Sequence, residues 1–394
     1  MKRLVVCCDG TWQAESNSAV SNIVKIAETV RLTGTDSDGN RVGQRINYVP
    51  GPGSRGFMSD KLMGGAFGLG LEANLSAAYW QLALNWEPCD EIYIFGFSRG
   101  AYTARSLAGM INRLGILTYQ AMIGGQYPKA LKIYRTRKKH ADDPDPPEWA
   151  EFRARNSHPE APTINFLGVF DTVGAMGVPG ITARLHRFHD VRLSRIVRCA
   201  RQALAIDERR RAFSPCLWEV PDEQRGLYAD RPDRVKQVWF EGVHCDIGGG
   251  YADCGLSDIP LRWMIAEAEA EGLAFDHDRL DDLLRGCPFD APHLHDSLSP
   301  GFRILNVARM TTAWRSPRFY WDSWRKLLQP GDQDSFLAST VGDRKGYRPA
   351  NIRRWCERRP GPVPPELIES IDLVPLPRHP VSIDEGSGSA ESAA

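Results

Sequence analysis

The sequence predicts an α/β fold built on a mostly parallel, doubly wound sheet, and three observations predict it. Short apolar runs alternate with helix-like stretches along most of the chain. One run, Ile92, Tyr93, Ile94 and Phe95, breaks into Gly96-Phe97-Ser98-Arg99-Gly100 and is followed by a helix-like stretch carrying Leu107 and Met110. An aspartate and a histidine then appear later in the chain, each just beyond another strand-like run.

The elements follow in order. Leu4 to Cys8 is an apolar run ending in DGTW, which reads as a buried parallel strand and a loop. Ser21 to Leu32 places Ile23, Ile26 and Val30 on one helical face. Ile46 to Val49 is a second strand, closed by PGPGSRG, and the glycine-rich segment after it turns helical over Glu72 to Trp86. The Ile92–Phe95 strand comes next. From Tyr127 to Thr163 the pattern degrades into charge blocks and clustered prolines, RTRKKHADDPDPPEW, which predicts a surface insertion or cap element with a mobile loop over Asp142 to Pro147. TINFLGVF (163–170) is a fourth strand, ending at Asp171.

Val191 to Phe213 carries Arg192, Arg195, Arg198, Arg201, Arg209, Arg210 and Arg211, with Leu193, Ile196, Val197, Ala200 and Leu204 at helical spacing between them. The spacing predicts an amphipathic helix whose basic face is either solvated or set against lipid phosphates. VKQVWF (235–240) is the next strand. Ser257 to Gly272 is a helix, with Ser257 or Asp258 as cap and Pro260 in its first turn. Domain organisation follows: a catalytic domain over 1–310 with the 127–163 insertion, a C-terminal extension over 311–380 packed on it, and a disordered tail over 381–394.

Composition narrows the function classes. The 394 residues balance 49 Lys and Arg against 49 Asp and Glu, so no global charge draws the chain to nucleic acid. Nine cysteines without a C-x-x-C pair read as reduced thiols. The N-terminal apolar run stops at Asp9, short of a signal sequence, and no apolar run is long enough to span a bilayer. A cytoplasmic location is expected, with secretion that needs no cleaved signal also open.

The chemistry concentrates at Gly96–Gly100. A serine on a sharp strand-to-helix turn, flanked two positions away by glycines, is the nucleophile elbow of an α/β-hydrolase. The turn exposes the hydroxyl at the carboxyl edge of the sheet and aims backbone N–H groups at whatever the serine attacks. A serine nucleophile needs a base, and the base an orienting acid. Asp171 and His244 stand where such a fold collects them, with His295 as rival base and Asp246 as rival acid. Arg99 supplies one oxyanion-hole N–H, and Gly10 or Thr11 in the DGT loop the second. His244, Cys245, Asp246, Asp253 and Cys254 meet no standard zinc spacing, so neither metal nor cofactor is expected.

Taken together, VVCCDGTW, YVPGPGS, DEIYIFGFSRGAYTARSLAGMI, FLGVFDTVGA, ALAIDERRRAF and VWFEGVHCDIGGGYADCGLSDIPLRWM resemble the α/β-hydrolase domain of bacterial type VI secretion lipase effectors and of many stand-alone fungal and bacterial proteins. The resemblance implies a Ser-Asp-His hydrolase, phospholipase A-like in the effector members, with Ser98, Asp171 and His244 as the triad. The expected function is therefore a cofactor-free serine esterase acting on lipid or phospholipid acyl esters, with peripheral membrane contact through the arginine-rich stretch. Two alternatives stand beside it: a hydrolase fold reused as a non-catalytic interaction module, and an esterase of sugar or nucleotide esters.

Overall fold

From Leu4 to Cys8 no side chain of the first strand, β1 (Lys2–Cys8), is exposed, as the continuous apolar run requires of a parallel strand covered on both faces. In the computed structural model β1 lies inside a nine-stranded sheet of order β2-β3-β1-β4-β5-β6-β7-β8-β9. The other strands are β2 (Thr33–Thr35), β3 (Arg41–Val49), β4 (Glu91–Phe97), β5 (Ile164–Phe170), β6 (Val197–Ala205), β7 (Val235–Phe240), β8 (Ser335–Ala338) and β9 (Ile368–Glu369). All pairings are parallel except β2 with β3. The structure describes residues 1–10, 19–51, 66–136, 145–173, 192–285, 292–300, 302–303, 306, 324–329, 332, 334–343, 346–358 and 363–371. Residues 142–144 of the loop expected over 142–147 and the whole tail expected over 381–394 lie outside them, and Pro147 already belongs to a helix.

The sheet is wound in two directions. From β1 the chain steps to β3 on one side and to β4 on the other. The gap between the carboxyl ends of β1 and β4 is therefore the topological switch point, where open α/β sheets bind ligands. Alternate residues feed two cores. Val5, Cys7, Tyr93 and Phe95 join α1 (Asn22–Thr29) and α9 (Gly255–Ala270) on one face. Leu4, Val6, Ile92 and Ile94 join α2 (Ala66–Ala83) and α3 (Arg99–Leu114) on the other.

Several expectations are corrected. Val191–Phe213 is not an amphipathic helix, because its central part is strand β6, paired on both sides by β5 and β7. Tertiary pairing overrides the helical spacing, and the arginines do not form one basic face. Arg201 is buried, with Nε donating 2.5 Å to Glu267 and Nη1 donating to the carbonyls of Asp233 and Arg234. The sequence reading also misses the β2–β3 hairpin, whose turn is held by Asn40 and Asp38 amides donating to Asp36. Helix α9 starts at Gly255, ahead of Ser257, and carries Pro260 inside it. Asp258 does not cap it, since an ion pair of 2.5 Å with Lys25 of α1 claims its carboxylate. Cys254 is disulfide-bonded, whereas Cys7, Cys8, Cys89, Cys199, Cys216, Cys245 and Cys356 are free thiols.

Within the stretch expected as insertion or cap, α5 (Tyr127–Arg135) and α6 (Pro147–Asn156) pack at the far half of α3. Arg113 donates to the Tyr134 carbonyl, and Ser157 donates to the carbonyl of Leu114. Gly109, where an added Cβ would meet the Tyr134 hydroxyl, lies roughly 16 Å along the helix axis from Ser98. These contacts brace the far half of α3. The C-terminal stretch, in turn, adds β8 and β9 to the same sheet. Among the described residues no helix is long and apolar enough to cross a membrane.

Candidate active site

Ser98 sits between the end of β4 and the start of α3 with φ 57 and ψ −117, a left-handed conformation that ordinary side chains avoid. Its amide donates to Phe170 of β5, which fixes the turn to the sheet. The two glycines of the motif are required by close approach. A Cβ on Gly100 would stand 2.1 Å from the Cys8 carbonyl oxygen, and one on Gly96 2.6 Å from Cα of Ala101. With glycine there, the N-terminus of α3 passes directly over the end of β1.

His244 opens the five-residue helix α8 (His244–Gly248) just after β7. That helix presses on the elbow, since a Cβ on Gly248 would lie 2.0 Å from the Phe97 ring. The imidazole lies between Phe97 and Phe213, at ring-centroid distances of 4.8 and 4.9 Å. Its Nε2 is 2.8 Å from Ser98 Oγ, and its Nδ1 is 2.6 Å from Asp171 Oδ2. Asp171 follows β5 and is fully buried. The structure thus brings together the three residues that sequence position nominated, from three different strand ends.

The two rivals form a pair of their own. His295 Nδ1 lies 2.6 Å from Asp246 Oδ1, and its ring stacks on Tyr251 at 3.9 Å. The second oxygen of Asp246 accepts from the amide of Val243 at 2.9 Å, so this carboxylate shapes the turn into His244.

The expected oxyanion donors are less uniform. Arg99 heads α3, where the first amides lie outside the helix's own hydrogen-bond ladder. Gly10 packs against Phe97, but its amide donates 2.6 Å to the Asp9 carboxylate beside it. Asp9 also accepts from Ser21 and Tyr48. Thr11 lies outside the described residues.

Electrostatics divide the site. Burial alone would raise the Asp171 carboxyl, but the charge of Arg325 and the hydrogen bond from His244 overcome it and hold the group well below the usual carboxylate range. Burial pushes His244 below its ordinary value, against the pull of Asp171. Asp9 is lifted by burial to about 6, with its hydroxyl and amide donors opposing. Burial likewise favours a neutral Glu208, yet Arg210 reverses the direction and keeps its carboxyl low.

Sequence reasoning missed Arg325, Glu208 and Phe213. Arg325 lies in WDSWRKLL, with no local pattern that could have marked it. Glu208 accepts from the His244 amide at 3.3 Å and from Arg210 Nε at 2.9 Å. The motif ALAIDERRRAF carried a signal for it, because a glutamate among arginines just past a strand end is a plausible ion-pair centre.

Residues 2–267 match the family described as type VI secretion system phospholipase effector Tle1-like, catalytic domain. The chain belongs to that family. A Saccharomyces cerevisiae protein, the uncharacterised YEL023C, is 30% identical to this Tle1-like chain over 241 residues, covering 56% of the chain and 33% of the yeast protein. Among solved structures, an uncharacterised protein from Pseudomonas aeruginosa aligns at 19% identity and a TM-score of 0.37, over 70% of this chain and 46% of that one. The Tle1 effector bound to the VgrG spike of the type VI secretion system aligns at 18% identity and a TM-score of 0.37, over 64% and 52%. The chain therefore spans a third of the yeast relative and about half of each of these structures.

Proposed function

We propose that this Tle1-like chain is a serine hydrolase that cleaves carboxylic esters, with lipid or phospholipid acyl esters as its substrates. The observation that carries the reading is the continuous hydrogen-bonded line from Ser98 Oγ through both nitrogens of His244 to Asp171, at 2.8 and 2.6 Å, on a serine held at positive φ. Membership of a phospholipase effector family supports the substrate class, as do the phenylalanine rings on either side of the imidazole.

In this mechanism Ser98 Oγ attacks the acyl carbon while His244 Nε2 takes its proton. The carbonyl oxygen becomes an oxyanion, stabilised by the Arg99 amide and by a second donor from the DGT loop, Gly10 or Thr11. Gly10 can serve only when its amide leaves the Asp9 carboxylate. The tetrahedral intermediate expels the alkoxide, which takes the proton from His244. Water then attacks the acyl-enzyme with His244 again as base, and Ser98 leaves with the proton restored. Asp171 stays ionised throughout and holds the imidazole with Nδ1 protonated.

The test is Ser98→Ala. The variant is expected to lose ester and phospholipid hydrolysis by roughly 10⁴-fold or more, to lose labelling by a fluorophosphonate probe, and to keep its circular dichroism spectrum. Turnover equal to wild type on short acyl esters, phospholipids and acetylated sugars alike would remove the reading. Faster turnover of acetylated sugars than of any lipid would redirect the substrate class while leaving the mechanism intact.

A further inference from the structure

The acid of the site is held by a residue from beyond the family-matched region. Residues 2–267 carry Ser98, Asp171 and His244, whereas Arg325 arrives 154 positions after the aspartate it meets. Its guanidinium is buried, and it grips both carboxylate oxygens: Nη1 to Oδ1 at 2.6 Å and Nη2 to Oδ2 at 2.9 Å. The remaining Nη hydrogens go to the carbonyls of Ala205 at 2.9 Å and Phe213 at 2.5 Å. The fork therefore ties three things together: the carboxylate, the end of β6, and the short turn whose Phe213 ring lies edge-on to His244.

That arrangement does more than neutralise a buried charge. A carboxylate at the end of a strand can rotate, and rotation would carry Oδ2 away from His244 Nδ1. Asp171 is pinned by the amide of Ala205 on Oδ1 at 3.1 Å and by two parallel guanidinium bonds. Planar bidentate pairing of this kind fixes orientation as well as charge, which a lysine could not reproduce. We propose that Arg325 is a positioning residue of the hydrolase, setting the rotamer of Asp171 and, through it, the orientation and basicity of His244. The inference rests on the serine hydrolase reading above.

The charged groups facing the imidazole are Asp171, Glu208 and Arg210, and Arg325 reaches it through Asp171. Shared with a guanidinium, the Asp171 charge attracts a proton onto His244 less strongly. The base consequently stays neutral, and active, to lower pH. Removing the cation lets Asp171 pull harder on that proton. It also leaves a buried carboxylate with one cationic partner fewer, so its own protonation moves up. Both changes displace the acid limb of the pH–rate profile in the same direction, upward.

The experiment uses the full chain with Arg325→Met and Arg325→Lys, each checked by thermal unfolding. Fluorophosphonate labelling of Ser98 and hydrolysis of p-nitrophenyl butyrate are followed from pH 4 to 9. Arg325→Met is expected to lower the labelling rate and kcat at least tenfold with KM within about twofold, and to move the acid limb up by about one pH unit. Arg325→Lys keeps the charge and loses the fork, so kcat falls while the limb stays near its wild-type place. A folded Arg325→Met protein with wild-type labelling rate and limb overturns the inference. So does unfolding of both variants, which would make Arg325 a structural staple. Wild-type protein that takes no label at Ser98 fails the hydrolase reading itself, a different outcome from either.

Discussion

Ser98 holds a backbone conformation that costs on the order of 1–3 kcal/mol, and the surrounding packing over-determines it. The same crowding sets the chemistry of its partner. His244 is buried against Phe97 and Phe213, which depresses its proton affinity, and Asp171 only partly restores it. In the proposed mechanism the base must be neutral, so activity is expected to fall as pH drops through the His244 value, which lies below the ordinary 6.5. The acid limb of kcat/KM is therefore expected below that value, measured on a soluble ester across pH 4 to 8. A limb at or above 7 would contradict the burial account. Sequence position nominated the three residues that the structure brings into hydrogen-bond contact because each lies at or shortly after the end of a readable strand. It did not identify Arg325, whose role depends on a contact across 154 positions and on nothing in its neighbours.

The sharpest constraint at the element scale is the crossing of α3 over β1. A Cβ at Gly100 would penetrate the Cys8 and Asp9 carbonyls at 2.1 and 2.4 Å, and backbone cannot step aside as a flexible side chain can. Gly100→Ala is expected to destabilise by about 3 kcal/mol or more, read as a fall in the urea midpoint, with activity lost in parallel. An alanine variant with an unchanged midpoint would mean that the crossing is looser than described. Element legibility followed burial. β1, β4, β5 and β7 were readable as apolar runs because both faces are covered. β6 was not, since VRCARQALA buries Arg201 and Gln202 beside its small residues and so mimics a helical stripe. The β2–β3 hairpin was missed because its first strand is three polar or glycine residues at the sheet edge, TGT. Helix α9 was found, but its start was misplaced by a cap candidate that instead answers to Lys25.

For the whole molecule, Lys25 and Asp258 join α1 to α9 on one face of the sheet through an ion pair whose members are 5% and 0% exposed. Asp258 Oδ2 accepts no hydrogen bond, so the pair is costly to bury and costlier to break. Lys25→Met alone is expected to lose about 3–5 kcal/mol, and Lys25→Met with Asp258→Leu to recover most of it. Denaturant unfolding of the single and double variants checks this, and equal losses in both would show that the lysine acts through packing alone. Sheet assembly has an order as well. β8, β9 and Arg325 leave the ribosome well after the serine, aspartate and histidine have been synthesised. A nascent chain that has passed His244 but not reached Arg325 therefore carries the three proposed catalytic groups without the guanidinium that grips the aspartate, so in the proposed hydrolase the centre would mature only after those later residues emerge and fold.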